Sequence, residues 1–176
     1  MPKAEPFIDF KVYGLEAMER NFQKGPEYLY GALLTILRKS GRLLVPSVKS
    51  ETPVGATGKL RNSTIFQVIG RGRNMMMEIR QSAFSSKGYA YGIAIRGGTK
   101  PHFPPVAALI PWVIKKLGIT NEKEARSVAF VIARKISKVG TKANPYHERA
   151  LRSSIGQIRH IVNQEMTAFT ERMEKF

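Results

Sequence analysis

The apolar residues of this chain change their spacing at one stretch, TPVGATGKLRNS, which spans residues 52–63. Before it, apolar residues recur at helical intervals behind Pro26, a residue suited to a first helical turn, and Pro46 is expected to kink or end that helix. They are Leu29, Leu33, Ile36, Leu37, Leu44 and Val48. After it, the strand-like runs STIFQVIG and NMMMEIRQ flank a GRGR turn. The stretch therefore predicts a joint between a long helix and a β-hairpin.

The glycines, lysine and hydroxyl groups of this joint also resemble, superficially, a loop that binds nucleotide phosphates. A Walker-type loop places four residues between its glycines and a hydroxyl residue after its lysine. Gly55 and Gly58 are too close for that pattern, and Leu60 stands where the hydroxyl should be. We predict instead a structural joint, in which Pro53 ends the preceding element, Gly58 allows a tight bend and Leu60 anchors the bend in the core.

Four basic residues near these elements are candidate contacts to DNA or to a partner protein. Lys59 and Arg61 flank Leu60 in the joint and are expected to point outward. Arg71 and Arg73 belong to the GRGR turn, which would project two guanidinium groups from the hairpin. An ordinary solvated turn accounts for the same residues equally well.

The sheet is expected to contain at least three antiparallel strands. The run YAYGIAI, Tyr89–Ile95, follows the hairpin and is interpreted as a third strand. Near the amino terminus, FIDFKV alternates weakly, so residues 1–14 are a candidate extended arm or short strand, with helical character from Glu16 onward.

Helical spacing returns in the second half of the chain. One helix begins near Pro104 and ends at Gly118, with Pro111 either kinking it or restarting it, and both versions bury Trp112. The next is capped by Thr120 or Asn121, has its basic residues in the last turn, and ends at Gly140. Its apolar stripe is Val128, Ala129, Ile132, Ile136 and Val139.

The last helix follows Pro145 and carries one regular apolar seam. The seam is Leu151, Ile155, Ile158, Val162, Met166, Phe169 and Met173. It fits either the protein's own core, which is the commoner arrangement, or a neighbouring subunit. The fold prediction is thus an α+β domain over residues 1–176, with a long N-terminal helix, an antiparallel sheet of three or more strands, and two or three C-terminal helices packed on the sheet.

The charge of the chain points to polyanionic partners. It has 29 Lys and Arg against 13 Asp and Glu, a formal net charge of +16. Such a field attracts nucleic acid or acidic protein surfaces and says nothing about fold. The basic residues are distributed along the chain rather than gathered in a tail.

No enzyme, metal or cofactor signature emerges from the remaining residues. The chain lacks cysteine, and its three histidines lie in separate segments without metal-ligand spacing. Glu122 and Glu124 suit the start of a helix, and Ser85 and Ser86 have no nearby base. The start of the chain lacks the apolar core of a signal peptide, and no segment is long enough to cross a bilayer, so a soluble protein made in a reducing cytoplasm is expected.

The order of the motifs resembles that of the minor tail component family of long-tailed double-stranded DNA phages, whose members serve as neck or tail-completion proteins. The resemblance runs from about Leu29 to Ile158. The family's Pro-x-x-Thr-Gly-x-Leu-x-x-Ser element is matched, with one extra residue after the proline, by Pro53, Thr57, Gly58, Leu60 and Ser63. The further matches are Tyr89-Ala90, Gly98-Thr99, Ile136, Gly140-Thr141 and Pro145-Tyr146. A departure lies at Ile95-Arg96, where many relatives carry an acidic residue before the glycine.

This resemblance implies a structural protein without catalytic residues or cofactors. It implies a homo-oligomeric ring at the head–tail junction of the virion, assembled in the host cytoplasm, with no membrane association. Its partners would be head-completion or connector proteins on one side, tail-tube or tail-terminator proteins on the other, and the DNA in the channel. An independent basic nucleic-acid-binding protein is the alternative that the net charge of +16 favours.

Overall fold

The computed structural model describes residues 26–85 and 88–173, apart from the Arg73 side chain. The described helices are α1 (Pro26–Glu51), α2 (Lys59–Asn62), α3 (Tyr91–Gly97), α4 (Val106–Leu117), α5 (Glu122–Val139) and α6 (Tyr146–Met173). The strands are β1 (Thr64–Ile69) and β2 (Met76–Gln81), with a 3₁₀ turn at Gly72–Asn74 between them. The mixed α and β composition and the long N-terminal helix agree with the sequence prediction. The candidate arm at residues 1–14 and the helical region from Glu16 lie outside the described residues.

The chain divides into two compact units, and each is built from separate segments. The first unit comprises residues 1–51, 64–81 and 147–176, and the second comprises residues 52–63 and 82–146. The joint at residues 52–63 therefore belongs to the second unit, whereas the helix and hairpin that it connects belong to the first. The expectation of one domain over residues 1–176 stays a prediction.

The first unit contains α1 and the predicted hairpin. Strands β1 and β2 pair antiparallel, from Thr64 opposite Gln81 to Ile69 opposite Met76, and α1 packs on both. The predicted apolar face of α1 is buried, with Leu33 half-buried; its fully buried members are Ile36, Leu44 and Val48. Helix α1 continues past Pro46 to Glu51, so this proline does not end it.

A buried carboxylate lies inside the hairpin. The Glu78 side chain is almost fully buried, and one of its oxygens, Oε2, accepts hydrogen bonds from Gln67 Nε2 at 2.9 Å and from Arg80 Nε at 2.7 Å. Three pairs along the ladder, at its end, Gln81 Nε2 donates to Thr64 Oγ1 at 2.9 Å. Because a slip of one residue would separate these partners, the polar contacts help to hold the register of the hairpin.

Helices α1 and α6 run antiparallel in the first unit. The residue numbers of their partners rise along one helix as they fall along the other. The contacts are Arg172 over the Tyr28 ring, Lys39 with Glu165, Ser154 with Ser47, and Arg149 with Glu51. Ile158 and Phe169 of the predicted seam are buried, whereas Ile155 is exposed. The remaining seam residues are half-buried, so part of the seam faces the protein's own core and part stays accessible.

The second unit is built around a helical hairpin. Helix α4 ends at Gly118, whose φ of 70° is readily accessible to glycine, and the Asn121 side chain caps α5 by accepting from the backbone N–H groups of Lys123 and Glu124. Val113, Ala125 and Ala129 form the fully buried centre between the two helices. Of the predicted stripe, Ala129 is buried and Val128 and Ile132 pack against this centre, whereas Val139 is exposed.

Two predictions about these elements are wrong. The expected third strand is helix α3, so the sheet of the described residues has two strands rather than three or more. Trp112 is 37 % exposed, because α4 is one continuous helix through Pro111 and buries Val113 instead. Helices α4 and α5 belong to the second unit and pack on each other, and the expectation that the C-terminal helices pack on the sheet stays a prediction.

The error at the third strand has a physical reason. The run YGIAIRG has the alternation of a strand, but strand preference depends mainly on packing against a neighbouring strand. Here the carbonyl oxygens of Ile95 and Arg96 instead accept from the backbone N–H of Asn144 at 3.1 Å each.

In the part of the chain that the structure describes, no helix is sufficiently long and apolar to cross a bilayer.

The contact between α1 and the hairpin can be tested at two glycines of α1. A Cβ at Gly41 would overlap the Phe66 ring, whereas a Cβ at Gly31 would meet open space. Alanine favours a helix over glycine, so Gly31→Ala should raise the free energy of unfolding by about 0.5–1 kcal/mol. Gly41→Ala should lower it by about 1–3 kcal/mol, because the ring must move. Urea titration of both variants would contradict the packing if the two changes had the same sign.

Candidate interaction surface

The joint at residues 52–63 is a short, internally bonded turn. Gly58 has a φ of 66° and precedes the single helical turn α2, as its predicted role in a bend requires. Thr57 Oγ1 accepts from the backbone N–H of Lys59 at 3.3 Å, and Ser63 Oγ donates to the Leu60 carbonyl at 2.9 Å. Leu60 is buried, as predicted, and Pro53 is half-buried after the end of α1.

The two basic residues of the joint have different surroundings. Lys59 is exposed, as predicted. Arg61 turns back instead, and its Nη2 donates to the carbonyl oxygen of Thr52 at 3.2 Å, which ties the two ends of the joint together. Arg61 is therefore a structural residue here rather than an outward contact.

The GRGR turn lies at the tip of the hairpin, in the first unit. Gly70 has a φ of 82°, and a Cβ there would overlap the Asn74 carbonyl, so the turn requires glycine at this position. Arg71 is exposed, as a contact residue should be, and the Arg73 side chain lies outside the described part. Lys59 and Arg61 belong to the other unit.

Two Gly-Thr pairs that are far apart in sequence meet in the second unit. Thr99 and Thr141 exchange backbone hydrogen bonds of 3.1 and 3.2 Å, and their hydroxyl oxygens are 2.9 Å apart. Gly98 and Gly140 have φ of 73° and 70° and ψ near 180°, a region open essentially to glycine alone. A Cβ on either glycine would overlap backbone atoms of the opposite pair. We call these four residues the Gly-Thr clasp.

The clasp fixes the ends of the segment that carries α4 and α5, since both helices lie between Thr99 and Thr141. The following residues strengthen the closure, because Asn144 bonds the end of α3 and Tyr146 is fully buried. The residues named above for the resemblance to the phage family all belong to the second unit. They are the five joint residues, Tyr89-Ala90, the clasp, Ile136 and Pro145-Tyr146.

The positive charge is concentrated in the same unit. By sequence, the second unit has thirteen Lys and Arg and two acidic residues, a net charge of +11, and the first has sixteen against eleven, a net charge of +5. The two acids of the second unit, Glu122 and Glu124, both lie in the first turn of α5, where they complement the helix dipole. Most of the attraction for a polyanion therefore comes from this unit.

Exposed apolar side chains are concentrated there too. Ten of the fourteen large apolar side chains that are exposed in the described residues belong to the second unit. Phe103 is 54 % exposed, Phe130 50 % and Val131 66 %, although large apolar side chains are usually buried. The rings of Phe103 and Phe130 meet edge to face, with their centroids 6.0 Å apart.

These side chains border an open groove between α4 and α5. Its volume is about 550 Å³, and its lining is Val106, Ala107, Arg126, Ser127, Phe130 and Val131. On α5, exposed cations occur before, among and after the groove residues, with the exposed Glu124 as an acidic neighbour. These cations are Lys123, Arg126, Arg134, Lys135 and Lys138. We call this the α4–α5 groove, and it combines an apolar floor with a basic rim.

Sequence reasoning missed this groove, although a signal was present. The predicted apolar stripe of α5 left Phe130 and Val131 on the polar side of the helix, among basic residues. Two large apolar residues at that place indicate either a second contact surface or a partner. The clasp was missed for another reason, since its pairing joins residues 42 positions apart.

Burial shifts the pKa of one tyrosine of the second unit. Desolvation by burial raises the pKa of the Tyr91 hydroxyl above its ordinary value of 10.0, so this phenol is neutral at physiological pH. Across residues 26–85 and 88–173, no cluster of three or more His, Cys, Asp or Glu could hold a metal ion.

Comparison of the chain with protein-family models, with curated proteins and with solved structures finds no match.

The clasp makes a prediction with an internal control. Gly140→Ala should lower the free energy of unfolding by several kcal/mol or prevent folding, because the new Cβ would overlap the Thr99 carbonyl. Gly118 also has a φ of 70°, but a Cβ there would meet open space, so Gly118→Ala should lower the free energy of unfolding by only about 1–2 kcal/mol. Thermal and urea unfolding of the two variants measure the difference, and equal losses would mean that the clasp contributes nothing beyond the backbone angle.

Proposed function

We propose that this chain is a structural subunit of the head–tail junction of a long-tailed phage, a neck or tail-completion protein that assembles as a homo-oligomeric ring around the DNA channel. The motif order of the sequence is the basis for that class. The observation that carries the proposal is the second unit, in which a net charge of +11 and most of the exposed large apolar side chains occur together.

The exposed apolar side chains favour an assembly subunit over a self-sufficient monomer. A soluble monomer seldom leaves a cluster of large apolar groups on one face, whereas an interface buries such groups at its centre and surrounds them with polar residues. The α4–α5 groove has this arrangement, with Phe130 and Val131 beside Arg126. In a closed ring, such a contact to an adjacent protein is repeated at every subunit, so even a modest contact gives a stable attachment.

The basic charge has a role in the same proposal. In a ring at the junction, cations would face either the DNA in the channel or the acidic surfaces of adjacent proteins. The chain would be made in the host cytoplasm and built into the virion, without catalytic residues or a cofactor. Its contacts, rather than any reaction, would be its function.

An assembly experiment tests the proposal. The purified chain would be examined by light scattering and negative-stain imaging, alone and with the head-side and tail-side proteins encoded by the flanking genes. We expect rings, either of the chain alone or on its partners. A chain that stays monomeric under all of these conditions would contradict the proposal, whereas a free monomer that assembles only on a partner would support it. Flanking genes without head-completion or tail-tube proteins would also count against it.

An independent nucleic-acid-binding protein is the second candidate, and the excess of cations favours it. It predicts tight binding to duplex DNA in dilute solution, with an affinity that falls steeply as salt increases. Arg71 is exposed at the hairpin tip, so Arg71→Ala should reduce the salt slope by about one unit if this residue contacts a phosphate. Fluorescence anisotropy with a labelled duplex measures both quantities, and absence of binding at low salt would exclude this candidate.

A further inference from the structure

We propose that the α4–α5 groove is a docking site for an acidic segment of a partner protein, one that inserts apolar side chains between Phe130 and Val106 and places carboxylates against the basic rim. The inference is carried by the groove itself and holds whether or not the chain forms a ring at a head–tail junction.

The floor of the groove requires an apolar ligand surface. Val106, Ala107 and Val131 offer only dispersion contact, and burying them against apolar side chains releases water from both surfaces. A phosphate backbone could pair with Arg126 at the edge, since the Ser127 hydroxyl already donates to the Lys123 carbonyl at 3.1 Å, but it would leave the apolar floor uncovered. This favours a protein segment over a nucleic acid.

An aromatic pair stands at the wall of the groove. Phe103 packs edge to face on Phe130, and about half of each ring remains exposed. This contact restricts the Phe130 ring in part, which lowers the conformational entropy that the ring loses when a partner covers it. Exposed aromatic residues of this kind are frequent anchors of protein interfaces.

The rim determines the charge of the occupant. Arg126 lines the groove, and α5 continues beyond it with three exposed cations, Arg134, Lys135 and Lys138. In a unit with a net charge of +11, an acidic segment is attracted and a second copy of the same groove is repelled. The occupant is therefore acidic and apolar at once, as one amphipathic helix with glutamates beside its apolar face would be.

The test uses the full chain and synthetic helical peptides of about four turns. One peptide has glutamates on one face and leucine and phenylalanine on the other. Two matched control peptides are used: one has lysines in place of the glutamates, and the other has serines in place of the leucine and phenylalanine. Of the three peptides, only the acidic amphipathic one should bind in a fluorescence anisotropy titration, and its affinity should fall as salt increases.

Variants locate the binding. Phe130→Ser should lower the affinity for the acidic peptide about tenfold or more, as truncation of an interface anchor does. Val139→Ser is the matched control, because Val139 is a 68 % exposed apolar residue of the same helix that does not line the groove. Arg126→Glu reverses one charge of the rim without removing apolar contact, and it should also lower the affinity for the acidic peptide. Circular dichroism and melting curves establish that each variant is folded.

Several outcomes would overturn the proposal. It fails if the acidic peptide does not bind, if the serine-substituted peptide binds as well, or if Phe130→Ser and Val139→Ser behave alike. Binding of a labelled single-stranded oligonucleotide that depends on Phe130 would make the groove a nucleobase site instead. Self-association that is lost in Phe130→Ser, or preferential binding of a peptide of residues 1–14, would show that this chain fills its own groove.

Discussion

The second unit depends on the close approach of two backbone segments at the Gly-Thr clasp. Thr99 and Thr141 are 42 residues apart, and their reciprocal hydrogen bonds close the segment that contains α4 and α5. The approach is possible because Gly98 and Gly140 have no side chain and adopt backbone angles that other residues avoid. A side chain at either glycine would separate the segments, and the two helices would lose the closure that fixes their ends. The groove that we assign to a partner lies within the segment that this contact closes.

The two units manage charge differently, and this difference bears on function. In the first unit, described ion pairs join Lys39 to Glu165, Arg80 to Glu78 and Arg149 to Glu51, so several cations have acidic neighbours. The second unit has two acids for thirteen cations, which leaves a field that an external polyanion can complement. Exposed apolar side chains accompany this field.

Prediction from the sequence succeeded where the signal was local. The apolar face of α1, the hairpin, the Asn121 cap and the ends of α4 and α5 at Gly118 and Gly140 all follow from residues within one or two turns of each other. It failed at Tyr91–Gly97 and at Trp112, where the outcome depended on which partner was available in space. For the candidate site, Leu60 and Lys59 were placed correctly, whereas Arg61 was needed to hold the Thr52 carbonyl and turned inward.

The sequence by itself determined the net charge of +16, the absence of cysteine, the long helix and the turn chemistry that allows the joint and the hairpin. These properties depend on composition or on residues near one another along the chain. Only the tertiary structure decided that the two Gly-Thr pairs meet, and that Phe130 and Val131 line an open groove. Both outcomes depend on contacts between distant segments, whose free energy includes the cost of closing a long loop and cannot be read from local spacing.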